Sequence, residues 1–318
     1  MLSGLPPLAL ALLLAAGIAL DLLLGEARRW HPLVGFGALA QRLERRLNAG
    51  GWRIARGAVG WTLAVLPLTA LAAWLCAIEG AGGLAIHAVL LYLCLGLRSL
   101  RDHALPIHAA LAAGELPRAR RLTARIVSRD AAQASEADLA KAGAESLLEN
   151  GNDAVFGTLF CFLVGGGAGA LLFRLANTLD AMWGYRNTRF NLFGRVAAHI
   201  DDVLNYVPAR LTALSYALLA PGGRLRALRC WRAQAKAWSS PNAGPVMASG
   251  AGALGISVGG AASYAGEVEL RPVLGIGPAA TANDIPRAWR LVWHTALLWM
   301  AFVLCAGAAL QLIGARHA

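Results

Sequence analysis

Charged side chains are scarce in this sequence. Only 15% of the 318 residues are Asp, Glu, Lys or Arg, whereas ordinary soluble domains contain about 25%. Hydrophobic residues make up 57% of the chain. This shortage of charge excludes a typical soluble globular domain and favours a polytopic membrane protein.

Several familiar motifs are also missing. The 5 cysteines contain no C-x-x-C pair, so neither a disulfide framework nor a zinc site is indicated. No G-x-x-x-x-G-K-[ST] nucleotide loop is present. The net charge of +11 comes from arginines that cluster between apolar runs, as the positive-inside rule predicts. Because no basic tract is studded with aromatic residues, we expect no nucleic-acid partner.

The chain has instead a series of apolar runs, the longest of which reach the length of about 20 residues that a spanning helix needs. We therefore predict an all-α, multi-pass integral membrane protein in contact with the lipid bilayer, folded as a single domain over residues 1–318. It should have about four to six membrane segments, together with cytoplasmic amphipathic helices. The apolar segments lie near residues 5–24, 57–78, 84–97, 154–173, 203–220 and 291–313.

The predicted topology depends on the arginine-rich stretch after the first apolar segment. It also depends on whether the segments near residues 154–173 and 203–220 cross the membrane. The arginine excess of Gly25–Arg56, which includes Arg28 and Arg29, places that stretch in the cytoplasm and the N-terminus outside. Gly165–Gly169 interrupts residues 154–173, either because small residues let helices pack closely or because the segment dips in and returns. Pro208 raises the same question for residues 203–220. Re-entry of both segments would put residues 174–202 in the cytoplasm, whereas full spans would put them outside.

The stretch from Glu145 to Ala213 combines apolar residues with carboxylates, arginines and asparagines. Ionisable groups cost about 2.5–3.5 kcal/mol each at bilayer depth, so their density calls for a function. Ser135 with Asp138 predicts a capped helix that runs to about Asn150. Glu145 and Glu149 share one face of that helix, which is either a solvated acidic face or a functional one. We interpret the whole stretch as a polar catalytic basin that holds phosphates and a metal ion.

Spaced polar motifs recur along nearly the whole chain: Asp21-Leu-Leu-Leu-Gly25 with His31-Pro32, Glu145-Ser-x-x-Glu149-Asn150-x-x-Asp153, Asn177-Thr-Leu-Asp180-x-Met-x-Gly184-Tyr185-x-Asn187, Asp201-Asp202-x-x-Asn205-Tyr-x-Pro208 and Ser240-Pro241-Asn242-x-Gly244. In these motifs the sequence resembles the CobD/CbiB family, the adenosylcobinamide-phosphate synthases of cobalamin (vitamin B12) biosynthesis. One departure is visible. The family usually continues Asp-Pro after the first motif, whereas Glu26 and an alanine stand here, which leaves the role of Glu26 open.

The resemblance implies an ATP-dependent carboxylate–amine ligase of the bacterial inner membrane, with its active site on the cytoplasmic side. Its substrates would be adenosylcobyric acid and (R)-1-amino-2-propanol or the phosphate of that amine. ATP and Mg²⁺ would be its cofactors, and other enzymes of the corrinoid pathway would be its partners.

Chemistry of this kind needs carboxylates for the metal ion and cations for phosphate. We predict catalytic roles for Asp180, Asp202 and Glu149. For the metal site we predict the carboxylates of Asp201, Asp202, Asp180, Asp153 and Glu145. For substrate and phosphate binding we predict Arg186, Arg189, Asn177, Asn187, Asn205 and Tyr185.

Simpler roles remain open for some of these residues. The asparagines could merely satisfy backbone groups in irregular segments. Trp183 and Tyr185 could cover the flat corrin ring or pack at the membrane interface.

Two other functions compete with the ligase. A membrane regulator or sensor of the same superfamily would not need this density of carboxylates. A corrinoid transporter would share the intramembrane charges and broken helices, and it would move its substrate without turning over ATP.

Overall fold

The computed structural model describes residues 3–26, 31–127, 129–264 and 266–316. Arg28 and Arg29, which contribute to the predicted cytoplasmic charge, lie outside these residues. The described chain is mostly helical, and its one sheet is a two-stranded hairpin. The predicted all-α class is therefore confirmed, with that hairpin as an addition.

The chain divides into two compact units, which are described separately. The first unit contains Met1–Gly96, Gly157–Asn205 and Met300–Ala318, and the second contains Leu97–Phe156 and Tyr206–Trp299. The helices are, in chain order, α1 (Pro7–Leu24), α2 (Pro32–Leu47), α3 (Arg53–Cys76), α4 (Ala81–Cys94), α5 (Leu97–Ala112), α6 (Leu116–Thr123), α7 (Glu136–Asn150), α8 (Gly157–Trp183), α9 (Arg195–Leu218), α10 (Arg224–Gln234), α11 (Ala243–Leu254) and α12 (Asp284–Arg316). A π-helical turn, Gly151–Phe156, joins α7 to α8, and a 3₁₀ turn, Ala235–Ala237, follows α10.

Five helical segments of the described chain are long and apolar enough to cross a membrane. They are Pro7–Leu24, Arg53–Cys76, Ala81–Ala112, Glu136–Trp183 and Asp284–Gly314. Their number agrees with a multi-pass membrane protein. Helix α9 is not one of them, and it is helical without interruption through Pro208. Of the two alternatives that Pro208 left open for residues 203–220, the structure shows no segment that dips in and returns, because α9 continues through the proline.

Helix α8 is a hairpin of two helical arms that reverses at Gly166. This glycine has φ 62° and ψ −152°, a conformation that residues with a side chain rarely adopt. A Cβ atom at Gly157 would lie 2.1 Å from the ring of Phe173, and one at Gly169 would lie 2.3 Å from the carbonyl oxygen of Cys161. In one straight helix, residues 157 and 173 would be about 24 Å apart. Of the two alternatives for the glycine run, the structure shows the segment that dips in and returns.

His87 of α4 supports this reversal. Its Nδ1 atom accepts a hydrogen bond from the backbone N–H of Gly167, 2.9 Å away, where the second arm begins. A Cβ atom at Gly166 would lie 2.4 Å from the His87 ring. A glycine and a buried histidine therefore fix the tip of the hairpin together.

The core of the first unit lies where α2 and α3 pack against the second arm of α8. Trp183 is 1% exposed, and its ring centroid lies 5.0 Å from that of Phe193. Its role is thus internal packing, whereas Tyr185 is 49% exposed. Leu43 and Leu47, which predict an amphipathic α2, pack against this core. The second arm of α8 is held rigidly by its apolar side, and this positions its polar residues.

Helix α7 belongs to the second unit and begins as the sequence predicts. The Ser135 hydroxyl accepts a hydrogen bond from the Asp138 N–H at 3.2 Å, and the Asp138 carboxylate accepts one from the Ser135 N–H at 3.3 Å. This reciprocal pair is a capping box with Asp in place of the usual Glu or Gln. The preceding helix, α6, begins at Leu116 with a proline in its first turn and ends at Thr123.

The hairpin of β1 (Ser257–Tyr264) and β2 (Glu267–Gly275) also belongs to the second unit and was not predicted. The strands are antiparallel, with Val258 opposite Leu274, and a bulge lies between Gly259 and Gly260. The Gly- and Ala-rich sequence of β1 conceals the strand, because glycine and alanine are depleted in strands. This hairpin carries two of the groups that complete the polar cluster on α7.

In the first unit, the far end of α12 lies beside the start of α1. A Cβ atom at Gly307 would lie 3.0 Å from the Pro7 carbonyl oxygen and 3.1 Å from Ala11. The absence of a side chain at Gly307 lets the two helices approach this closely.

Candidate active site

The first polar cluster lies in the first unit, on the second arm of α8 and the beginning of α9. The Asp201 carboxylate accepts a hydrogen bond from the Asn177 side chain at 3.3 Å and another from the Asn205 side chain at 3.0 Å. Asp201 and Asn205 are 7% and 1% exposed. Because both carboxylate oxygens of Asp201 accept amide hydrogens, Asn177 and Asn205 fix Asp201 in place, and with it the start of α9.

Asp180 and Asp202 form an acidic pair in the same unit. Both are partly buried, and the charge of Asp202 acts on Asp180. A Cβ atom at Gly184 would lie 2.1 Å from Oδ1 of Asp180, so the glycine of this motif leaves space for the carboxylate. Two carboxylates whose charges act on each other gain stability from a cation.

The segment from Gly184 to Gly194 connects α8 to α9 and contains four of the predicted binding residues. Tyr185 and Arg186 are exposed. The side-chain oxygen of Asn187 accepts hydrogen bonds from the N–H groups of Arg189 at 3.1 Å and Phe190 at 2.9 Å. Asn187 therefore shapes the turn, which is the simpler of the two roles considered for it.

Arg189 holds this segment to α2. Its guanidinium donates to both carboxylate oxygens of Glu44, at 3.0 and 2.7 Å, and its backbone carbonyl accepts hydrogen bonds from Arg53 at 2.6 Å and Asn48 at 3.0 Å. The hydrogen bonds from Arg189 lower the pKa of the Glu44 carboxyl below its usual value. The structure thus gives Arg189 a carboxylate partner, and Arg186 is the arginine of this segment better suited to meet a phosphate.

The second polar cluster lies in the second unit and is centred on Glu145 of α7. One carboxylate oxygen accepts from the Gly259 N–H at 2.6 Å and from Arg271 at 3.2 Å, and the other accepts from Arg129 at 2.8 Å and Arg271 at 3.3 Å. The side chains of Glu145, Arg129 and Arg271 are 6%, 9% and 11% exposed. Glu145 is therefore saturated with donors, and the two guanidiniums outnumber it by one positive charge.

Glu149 lies one helical turn after Glu145 and is partly buried. The charges of Glu145, Arg271 and Arg129 all act on it. In the part of the chain that the structure describes, no hydrogen bond is made to its carboxylate. A pocket of about 150 Å³ opens here, lined by Ile126, Val127, Arg129, Ala142, Glu145, Ser146, Glu149, Asn150, Tyr264 and Arg271.

Asp153 follows in the π-helical turn, four residues after Glu149. Its carboxylate accepts a hydrogen bond from the Asn152 side chain at 2.9 Å. The Asn152 side-chain oxygen in turn accepts from the Thr212 hydroxyl at 3.0 Å. Asn152 and Asp153 therefore help to connect the π turn to α9 within the second unit.

The predicted metal ligands are divided between the units. Asp180, Asp201 and Asp202 lie in the first, whereas Glu145 and Asp153 lie in the second. Among the described residues, no three His, Cys, Asp or Glu side chains form a preformed metal site. The Asp180–Asp202 pair nonetheless suits Mg²⁺, which prefers carboxylate oxygens and commonly uses one or two carboxylates with waters and substrate phosphates.

Sequence reasoning missed the partners of the predicted acids. Arg129, Arg271 and Glu44 are not among the residues predicted for the site, although the structure pairs each of them with one that is. The signal available was a charge argument: acids on one helical face repel each other unless a cation lies near them. That repulsion indicates that a cationic side chain or ion lies near Glu145 and Glu149, but it does not identify which residue supplies the charge.

Comparison with known proteins identifies the family. A family model described as CobD/Cbib protein matches residues 14–292 of the chain. The chain belongs to the CobD/CbiB family. A CobD/CbiB relative from Stutzerimonas stutzeri, named cobalamin biosynthesis protein CobD, is 58% identical over 293 residues, which cover 91% of this chain and 95% of the relative.

Two further relatives carry the same name. The protein from Chromobacterium violaceum is 53% identical over 97% of this chain and 99% of its own length. The protein from Mycobacterium tuberculosis is 39% identical over 86% of this chain and 88% of its own length. No solved structure matches the chain.

Proposed function

We propose that this protein acts in cobalamin biosynthesis as an ATP-dependent ligase. It joins a carboxylate of adenosylcobyric acid to the amine of (R)-1-amino-2-propanol or of its phosphate. The names of the relatives support the pathway. The observation that carries the reaction type is the Asp180–Asp202 pair, held beside the amide-fixed Asp201 in a chain otherwise poor in charge.

The reaction needs activation because a carboxylate does not condense with an amine at neutral pH. We propose that a carboxylate oxygen of the corrinoid attacks the γ-phosphorus of ATP, which forms an acyl phosphate and releases ADP. The amine nitrogen then attacks the acyl carbon, the C–N bond forms, and the C–O bond to phosphate breaks. Phosphate leaves with the bonding electrons, and the amine loses its proton to a general base, a role that one of the carboxylates predicted to be catalytic would fill.

The groups of the first unit suit the activation step. Asp180 and Asp202 would hold Mg²⁺, which neutralises the charge that develops on the transferred phosphoryl group. Asp201, fixed by two asparagines, keeps the beginning of α9 in register. Arg186, exposed on the connecting segment, would contact phosphate through its planar fork.

We place this chemistry on the cytoplasmic side of the bacterial inner membrane, where ATP is available. The reversal at Gly166 supports the proposal, since a segment that returns brings Asp180 back to the side from which the chain entered at Gly157. We expect Tyr185→Cys to react with a membrane-impermeant thiol reagent in inside-out vesicles and to be protected in intact cells. Labelling from outside intact cells would contradict this placement.

The decisive experiment is reconstitution. We expect purified protein, incubated with adenosylcobyric acid, ATP, Mg²⁺ and either amine, to form the amide, which is detected by mass together with stoichiometric ADP. A regulator or sensor would form no amide. A transporter would move the corrinoid across vesicles and would leave ATP intact.

A further inference from the structure

We propose that the pocket between α7 and the β-hairpin is the binding site for the small amine substrate. In this site Glu149 binds the ammonium group, and Arg129 and Arg271 bind the anionic end. This inference rests on the proposed function and assigns one of its substrates to particular residues of the second unit. It introduces two arginines that the sequence motifs did not indicate.

The size of the pocket limits its occupant. Its volume is about 150 Å³, whereas pockets for drug-sized ligands measure about 300–1,000 Å³. A short amine with one phosphate group is of suitable size for this pocket, whereas a corrin ring or a complete nucleotide would extend beyond it.

The charges of the pocket suit an anion at one end. Glu145 neutralises one of the two guanidiniums, and a positive charge remains. In the described chain, the Arg129 side chain donates one hydrogen bond, to Glu145. The Arg271 side chain donates hydrogen bonds to Glu145 and to the Gly260 carbonyl. An arginine has five N–H donors, so both side chains retain capacity for further acceptors. The N–H groups of Arg129 and Arg271 that Glu145 and Gly260 do not use can donate to phosphate oxygens.

Arg271 is also held rigidly. The bulge at Gly259 and Gly260 supplies an N–H to Glu145 and a carbonyl to Arg271. The guanidinium carbon of Arg271 lies 5.4 Å from the centroid of the Trp238 ring. Because these contacts fix the fork before any ligand arrives, less side-chain entropy is lost on binding.

Glu149 supplies the opposite charge. Its carboxylate lines the pocket and accepts no hydrogen bond from the described residues, in contrast to the saturated Glu145. An acid in this position can accept the N–H groups of an ammonium ion, and such a charge-assisted bond is stronger than a neutral one. The ligand that satisfies both ends is a short molecule with one ammonium group and one phosphate group.

Binding of the amine without ATP or corrinoid tests this assignment separately from catalysis. In calorimetric titrations of the full-length protein in detergent, we expect aminopropanol phosphate to bind more tightly than either aminopropanol or inorganic phosphate. Glu149→Gln should weaken that binding by about tenfold to a hundredfold. Arg271→Lys, which keeps the charge but loses the fork, should weaken aminopropanol phosphate by about tenfold and change aminopropanol by less than about threefold.

Matched controls exclude effects of charge alone. Glu136→Gln alters an exposed acid on the same helix, and Arg118→Lys alters an arginine that is 56% exposed, so both should bind the phosphorylated amine like the wild type. Unchanged affinity in Glu149→Gln and Arg271→Lys, in a protein that still forms amide, would overturn the assignment and leave the ligase function intact. Displacement of the amine by ATP would also overturn it, because the phosphate site would then belong to the nucleotide. A wild type that binds the amine through these residues but forms no amide would support the assignment and count against the proposed reaction.

Discussion

The two polar clusters hold their central carboxylates in different ways. Asp201 of the first unit accepts neutral amide hydrogens from Asn177 and Asn205, whereas Glu145 of the second unit is bound by two arginines. The first cluster thus concentrates negative charge at the neighbouring Asp180 and Asp202, whereas the second sets Arg129 and Arg271 against the carboxylates of Glu145 and Glu149. The difference indicates that the first cluster suits a cation with its phosphates, and the second suits a small anionic substrate.

The largest expected effect is on the stability of the second unit. Glu145→Ala leaves two buried guanidiniums without their carboxylate, so it should lower the free energy of unfolding by about 3–5 kcal/mol. Glu115→Ala removes a partner of a pair that is about half exposed, and it should cost only about 0–1 kcal/mol. Denaturant unfolding measures both. Equal effects of the two substitutions would show that burial of the Glu145 cluster contributes little to stability.

The next effect concerns catalysis in the first unit. Asp180→Asn and Asp202→Asn should each reduce kcat/KM for amide formation by more than about a hundredfold, since residues that only support metal ligands are worth about 10–100-fold. Asp201→Asn should fall in that smaller range. Asp102→Asn, in an exposed surface pair, is the matched control. A loss for Asp201→Asn larger than that for Asp202→Asn would reverse the roles assigned to these two acids.

A smaller effect is expected at the tip of the α8 hairpin. Gly166→Ala forces a side chain into a backbone conformation that costs about 1–3 kcal/mol, and its Cβ atom would meet the ring of His87. The neighbouring Gly165 has nothing within 4 Å of the position of a Cβ atom, so Gly165→Ala should leave stability unchanged or raise it slightly. Thermal unfolding of the two variants compares adjacent glycines directly. Similar midpoints would contradict the reversal at Gly166.

The smallest expected effect is pH-dependent and concerns Glu44. Because hydrogen bonds from Arg189 lower the pKa of Glu44 in the folded state, the unfolded protein binds its proton more readily. The stabilisation is therefore present at neutral pH and is lost as the pH falls through and below the usual value near 4.5. We expect Arg189→Gln to have a lower melting temperature than the wild type at pH 7, with the difference shrinking towards pH 4. A difference that stays constant would mean that the pair does not contribute through its charge.

Much of the helical framework could be predicted because its signals are local. The apolar runs, the proline at the start of α6 and the capping box of Ser135 each act within one or two turns of helix. The glycine run at residues 165–169 restricted α8 to two alternatives. Choosing between them required the contact between Gly157 and Phe173, which sequence spacing alone does not reveal.

The candidate sites were predicted less completely. The spacing of Glu145 and Glu149 on one helical face is local and was recognised, but their cations are not local. Arg271 is 126 residues away from Glu145 in the chain, on a strand whose partner is rich in glycine. Likewise, Arg189 looked suited to phosphate, and its carboxylate partner Glu44 is separated from it by 145 residues. Long-range pairing of charges decides which arginines remain available, and composition does not encode it.

The helical hairpin also affects how the orientation of this protein can be studied. A segment that leaves and re-enters on one face contributes an even number of passages, so it does not alter the parity that relates the two ends of the polypeptide. The other four candidate spans of the described chain are also even in number, and Gly307 of α12 lies beside Pro7 of α1. Reporter fusions at the two ends should therefore give the same answer, whereas a single full passage of α8 through the membrane would make them differ.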